Sequence, residues 1–329
     1  MRILVTGGAG FIGSHFVKRL LAAGETVVVL DKLTYSGNRA NLEGCDVEFV
    51  QGDICDPDAV AEAAPGCEAV VNFAAESHVD RSILGPAEFI LTDVLGTQVL
   101  LDYVRAAGIG RYVQVSTDEV YGDLEGGGRS IEEDSLRPSS PYSASKAGGD
   151  LETLAYVRTY GVNASVTRGA NTYGPNQYPE KFVPLFATNA LDGEPVPVYG
   201  DGRQVREWLH VEDHCAAIEL VLREGGPGEI YNVGGVEREN LDVAQRILEL
   251  TGADPSLLRH VADRPGHDRR YALDDSKLRA LGWEPRHSFE DGLAATVEWY
   301  RGNRGWWEPI KSGEFREYYE RQYAERLRG

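Results

Sequence analysis

Cysteine and methionine are scarce in this chain: four cysteines and one methionine in 329 residues. Cys45, Cys55, Cys67 and Cys215 form neither a C-x-x-C pair nor a zinc-like spacing, which speaks against a disulfide framework or a structural metal and leaves reduced thiols. Long apolar runs are missing too; none approaches the roughly 18 residues of a membrane span. The opening Arg2-Ile3-Leu4-Val5 reads as a strand rather than a charged leader, so we expect no membrane association and a cytoplasmic protein. Positive charge is short as well. With 33 Lys and Arg against 52 Asp and Glu, the formal net charge is −19, which repels phosphate backbones and removes nucleic acid from the expected partners. What remains is an ordinary globular mixture, 42% hydrophobic and 26% charged, that fits neither disorder nor a fibre. At roughly 150 residues per domain, the length suggests two domains.

Short Val/Ile-rich runs alternate with amphipathic stretches through the first half: Ile3–Thr6, a helix over roughly 12–23, Val27–Leu30, Val47–Gln51, Ala69–Phe73, a helix from about Glu88 to Ala107, then Tyr112–Ser116. Strands separated by helices build a parallel sheet, and runs that are apolar throughout are covered on both faces. Past Val166, Pro175, Pro179, Pro184, Pro195 and Pro197 break the chain into short pieces, and helices reappear near Asp213–Leu222, Leu241–Leu250 and Phe289–Arg301. Glu229–Val233 reads as a return to the first sheet. The expectation is an α/β fold, a doubly wound parallel (Rossmann) sheet with a smaller, mixed C-terminal domain. The first would hold residues 1–172 plus about 208–234, the second about 173–207 plus 235–329.

Gly7-Gly8-Ala9-Gly10-Phe11-Ile12-Gly13 lies between the first strand and the first helix. Glycines there permit a tight turn and bring N–H groups up to a pyrophosphate, whose charge the following helix N-terminus favours. Asp31 stands 18 residues past Gly13 at the end of the second strand, where a carboxylate accepts from ribose hydroxyls and repels a 2′-phosphate. NAD is therefore expected over NADP.

Tyr142 and Lys146, four apart in a helix opened by Pro141, share one face. A cation beside a phenol lowers its pKa, and with an oxidised nicotinamide nearby Tyr142 would become a base for a substrate hydroxyl. Thr117-Asp118-Glu119 follows the strand Tyr112–Ser116 at its carboxyl end, the edge where open α/β sheets bind ligands. A turn there can bring both carboxyl groups to one substrate, one as acid and one as base, or they merely form an acidic loop.

Together these segments resemble the extended short-chain dehydrogenase/reductase family and, within it, the dTDP-glucose 4,6-dehydratases. The likeness includes Asp31-Lys32-Leu33-Thr34-Tyr35, Ala74 to Ser82, Thr117 to Gly122, Tyr173-Gly174-Pro175, Gln177 to Lys181 and Asp263 to Asp268. Two departures stand out: Arg168-Gly169-Ala170-Asn171-Thr172 in place of R-x-S-N-N, and Glu207 where the family usually has Asp.

The resemblance implies a redox-neutral dehydration on one tightly bound NAD. Tyr142 takes the C4 hydroxyl proton, with Lys146 and Thr117 positioning it, while Glu119 removes the C5 proton and Asp118 protonates the departing C6 hydroxyl. It implies a cofactor groove over Gly7, Gly10, Phe11, Ile12, Gly13, Asp31, Lys32, Leu33, Thr34, Asp53, Ile54, Phe73, Ala74, Ala75, Ser77, Thr92, Tyr142, Lys146 and Thr172. It implies sugar-nucleotide contacts from Ser77, His78, Thr117, Asn171, Lys181, Phe182, Pro197, Tyr199, Arg206, Asn240, Arg264 and His267, Asn240 also reading as the N-cap before Leu241. A homodimer is implied through the helix after Phe89 and the one bearing Tyr142, with Val94, Val99, Leu101 and Val104 at helical spacing, although these positions also suffice for packing on the sheet. Alternatives are a UDP-sugar 4,6-dehydratase, a 4-epimerase, against which Asp118 and Glu119 argue, and a non-catalytic NAD-sensing protein. His210 and His214 with Glu212 and Asp213 between them match no zincin order, so no metal is expected.

Overall fold

The structure is a computed structural model that describes residues 1–124 and 126–323. Seven parallel strands form the central sheet in the order β3-β2-β1-β4-β5-β6-β10. They are β1 (Arg2–Thr6), β2 (Thr26–Asp31), β3 (Glu48–Gln51), β4 (Ala69–Asn72), β5 (Arg111–Thr117), β6 (Ala164–Gly169) and β10 (Ile230–Val233). Alternation of side chains along each strand explains why both faces are covered. Ile3, Val5, Val27 and Val29 point into one core with Phe16, Leu20, Ile218 and Val221 of the Phe11–Ala22 and Val211–Glu224 helices. Leu4, Val28 and Leu30 point to the other, against Val60, Leu100, Leu101 and Val104.

A second part of the molecule is built from the mixed sheet β11-β9-β7 and the parallel pair β12-β8. Here β7 is Asn171–Tyr173, β8 Val196–Tyr199, β9 Val205–His210, β11 Val236–Glu239 and β12 Leu258–Val261; β9 runs antiparallel to β11 and parallel to β7. Its core is separate, with Tyr173, Val183, Phe186, Trp208, Ile247, Leu293, Tyr300 and Trp307.

Two elements depart from expectation. The proline-rich stretch contains a helix, Phe182–Asp192, because Pro184 falls in its first turn, where a missing N–H breaks no intrahelical bond. The single helix expected over 88–107 is instead Ala87–Ile90, a π-helical segment Leu91–Gly96, and Thr97–Ala107. Among the described residues no helix is long and apolar enough to cross a membrane.

Strand order reverses between β1 and β4, whose ends are held in register by Thr6 opposite Asn72 and by a hydrogen bond between their side chains at 2.6 Å. The crevice at the carboxyl ends of these two strands is where an open parallel sheet takes its ligand.

Candidate active site

After β1 the chain turns through Gly7 at φ +66°, and a β-carbon there would lie 2.7 Å from the Ala74 nitrogen. One on Gly13 would lie 2.3 Å from the Gly7 carbonyl oxygen. Glycine is therefore required for the loop to fit between its helix and the end of β4. Gly10 precedes the Phe11–Ala22 helix without a side-chain cap, so the first N–H groups of that helix are left for the cleft, at the positive end of the helix dipole. At the end of β2 the Asp31 carboxylate accepts from Ala9 N at 2.9 Å and Leu33 N at 2.8 Å, which ties the loop to the strand; burial raises its pKa against these two bonds. Each oxygen retains acceptor capacity. A cradle of backbone donors next to a buried acceptor fits a dinucleotide with unphosphorylated ribose, as expected for NAD.

Every expected cofactor residue except Leu33 lines this one cleft. Leu33, in the left-handed region at φ +55°, packs against the core instead, with its N–H on Asp31. The cleft continues past Tyr142 and Lys146 to Thr117, Asp118, Glu119, Asn171 and Lys181. Glu76, Gln177, Tyr178 and Glu180 also line it, all four inside the segments that carry the resemblance, and so does His214, which the sequence offers only as part of a pair matching no zincin order. His214 accepts or donates at Thr172 Oγ1 (2.7 Å), and burial lowers its pKa to about 4, so it is a neutral ring beside the cofactor residues.

Ser140 caps the helix Pro141–Tyr160 by accepting from Ser143 N at 3.1 Å, Pro141 occupies the first turn, and Gly161 ends it at φ +71°. This cap fixes Tyr142 at the mouth of the helix and Lys146 one turn deeper. The Lys146 ammonium donates to the Val115 carbonyl of β5 at 2.8 Å. Desolvation, then the charges of Glu119, Asp93 and Asp118, push the Tyr142 phenol well above its usual range, with Thr117 pulling the other way. Within the chain itself burial and these three carboxyl groups dominate, whereas the expected lowering beside Lys146 is tied to the charge of an oxidised nicotinamide.

β5 ends at Thr117, and one 3-10 turn, Asp118–Tyr121, carries both acids. Thr117 Oγ1 donates to Asp118 Oδ1 at 3.1 Å, while Oδ2 is buried without a partner among the described residues. Burial, then the charges of Glu119 and Glu207, raise the Asp118 carboxyl to about 8. Glu119 is also raised by burial, but Arg264, Arg206 and Lys181 oppose the shift. Neighbouring carboxyl groups are thereby placed in different electrostatic surroundings, one favouring the acid and the other supplied with cations.

Of the expected sugar-nucleotide residues, Ser77, Thr117, Asn171 and Lys181 line the cleft. The others lie beyond its lining. Arg264 donates to Asp80 (2.9 Å), Arg206 donates to the Asp268 carbonyl (2.9 Å) over the Tyr271 ring, and His267 pairs with Asp263 (2.6 Å) beside Tyr199. The Tyr199 hydroxyl donates to Asp80, and His78 packs edge-on against Tyr318. Phe182 packs on Phe186 with ring centroids 4.0 Å apart and the rings tilted by 39°, and Pro197 is buried in β8, so core packing places both. Asn240 does not cap its helix; its Oδ1 has no partner among the described residues.

Comparison with known proteins agrees with this geometry. The NAD dependent epimerase/dehydratase family matches residues 3–234. A dTDP-glucose 4,6-dehydratase from Streptomyces niveus is 55% identical over 324 residues, 95% of this chain and 96% of its own length. The solved dTDP-glucose 4,6-dehydratase of Streptomyces venezuelae, with NAD bound, superposes at a TM-score of 0.92 with 56% identity, covering 94% of this chain and 100% of the other. A UDP-glucose 4-epimerase of Thermus thermophilus in complex with NAD follows at TM-score 0.88 and 37% identity, covering 92% and 100% of the two chains. By glycine loop, acid pair, Tyr142 and Lys146, and by likeness along nearly its whole length, the chain belongs to the NAD dependent epimerase/dehydratase family.

Proposed function

We propose that this protein converts dTDP-glucose to dTDP-4-keto-6-deoxyglucose with no net oxidation. The observation that carries this reading is a single cleft in which Asp118, held protonated to about pH 8, and Glu119, faced by three cations, adjoin Tyr142 and Lys146. NAD, when bound, supplies the hydride acceptor for C4 and the donor for C6. Tyr142 takes the proton of the C4 hydroxyl, Lys146 and Thr117 holding it in place. Once C4 is a ketone, Glu119 removes the C5 proton, and Asp118 gives its proton to the C6 hydroxyl as it leaves as water. Glu119 then returns a proton to C5. An epimerase needs no such acid and base beyond the redox pair.

The cores support a division near residues 173, 208 and 234 into a cofactor-binding and a sugar-nucleotide-binding domain, except that Leu273, Leu278 and Trp283 of the C-terminal stretch pack in the first core. Arg206, Arg264 and His267 are assigned to the diphosphate side, where a chain of net charge −19 must concentrate cations. We place the protein in the cytoplasm as a homodimer. Exposed Ile83, Leu84, Ile90, Leu91, Leu95 and Leu151 on its helices support an apolar interface. Leu101 and Val104, expected to contribute, are instead spent on the sheet.

Incubation with dTDP-glucose deuterated at C4 tests the reaction. The product should be lighter by one water, carry deuterium at C6, and form without accumulation of free NADH. An isomer of unchanged mass, or deuterium in external NADH, would overturn it. Parallel incubation with UDP-glucose should give slower turnover, and sedimentation should give a dimer.

A further inference from the structure

The π-helical segment Leu91–Gly96 places one residue on each side of a wall: Thr92 lines the cleft, and Asp93 is buried behind it. Segments of this kind are rare and concentrate at functional sites. Glycines let the two helices meet there. A β-carbon on Gly149 would lie 2.7 Å from the Asp93 carbonyl oxygen, and one on Gly148 2.7 Å from Val94 Cγ2. The Asp93 side chain reaches the helix of Tyr142 and Lys146 through Ser145, whose Oγ lies 2.6 Å from Asp93 Oδ2 and 2.8 Å from the Tyr142 carbonyl oxygen. A serine hydroxyl has one hydrogen, and an ionised carboxylate and a carbonyl both only accept. Both contacts become full hydrogen bonds when Asp93 carries a proton and donates it to Ser145, which then donates to Tyr142.

We propose that Asp93 is a positioning residue for the redox pair: through Ser145 it clamps the first turn of the Tyr142–Lys146 helix, and its charge sets how readily the Tyr142 phenol gives up its proton. This rests on the role of Tyr142 proposed above. The groups facing Asp93 are Lys146 and Tyr142 on that helix and Glu76 on the segment after β4. Burial raises the Asp93 carboxyl to about 6, against the opposing effects of Lys146 and Ser145, so its charge changes close to neutral pH. The ionised form opposes the phenolate.

The test is single-turnover formation of bound NADH from dTDP-glucose against pH, in the holoenzyme and its Asp93→Asn and Asp93→Ala variants. Neutral asparagine keeps a group that can bond Ser145 and removes the charge. Its acidic limb should move down by about one pH unit, tenfold in rate on that limb, with the plateau within a few fold of the parent. Alanine should move the limb likewise and lose about tenfold of the plateau, because the clamp is gone. An unmoved limb in Asp93→Asn, or a full plateau in Asp93→Ala, overturns the inference while leaving the reaction intact. Should the parent form no NADH, or form it undiminished as Tyr142→Phe, the role of Tyr142 and this inference fall together. Should either variant fold poorly, Ser145→Ala tests the clamp: its plateau should fall several fold, and an unchanged plateau refutes it.

Discussion

Lys146 donates to the main-chain carbonyl of Val115, the third residue from the end of β5, at 2.8 Å. The cation is thus anchored to the same strand whose next turn carries Asp118 and Glu119, so the redox pair and the acid pair share one support. Lys146→Met should lower the rate of bound NADH formation about 100-fold or more. It also leaves the Val115 carbonyl without that partner, at a cost of about 1–3 kcal/mol. Stopped-flow absorbance and thermal unfolding check the two effects separately. A variant that oxidises C4 at the parental rate would show that the anchor is structural alone.

The roles of the three titratable groups separate in single turnover. Glu119→Gln should oxidise C4 and stall, accumulating NADH and a 4-keto-glucose nucleotide, because the first step does not need it. Asp118→Asn should be milder, since an amide still hydrogen-bonds the leaving hydroxyl and water can supply the proton. Tyr142→Phe should form no NADH. Dehydration by Glu119→Gln at an undiminished rate would refute the assignment.

Asp118 also makes a prediction about pH. Its folded pKa is raised from 3.8 to about 8, chiefly by burial. Between those values the unfolded chain gives up a proton that the folded chain keeps, so stability from this group is fully present below about pH 4 and is lost as pH rises toward 8. Asp118→Asn removes the dependence. Its melting temperature should exceed the parent's by a few degrees at pH 8, with the gap closing toward pH 5. In the parent, the dehydration step should slow as pH rises through about 8. Equal melting temperatures across that range would show that Asp118 ionises normally.

Gly13 and Gly10 differ in what a methyl group would meet. Gly13→Ala drives a β-carbon to 2.3 Å from the Gly7 carbonyl oxygen, whereas at Gly10 the nearest atom is 3.2 Å away. Gly13→Ala should therefore lose several kcal/mol of stability and purify without NAD. Gly10→Ala should fold, with NAD content reduced about tenfold or more because the β-carbon occupies the approach to the helix N-terminus. NAD released on denaturation, measured per chain, checks both.

Much of this molecule is legible along the chain because its signals are local. Unbroken apolar runs in Ile3-Leu4-Val5 and Val27–Leu30, glycines at the β1 turn, Asp31 at the β2 end, and Tyr142 four residues before Lys146 are each read over a few residues. The π-helical segment has no such mark, because Leu91–Gly96 shows ordinary helical spacing and its extra residue per turn is held by contacts at Gly148 and Gly149, more than fifty positions away. Pro184 misleads for the opposite reason: a proline breaks a helix only past its first turn. Which acid of Asp118-Glu119 stays protonated is likewise invisible in the dipeptide. It depends on burial and on Glu207 and Arg206 of β9, on Arg264 and on Lys181, brought together from segments far along the chain. Chain order specifies which chemical groups exist and how adjacent ones are spaced. Their ionisation is a property of the surrounding charge and solvent, and only the folded arrangement of distant segments sets that.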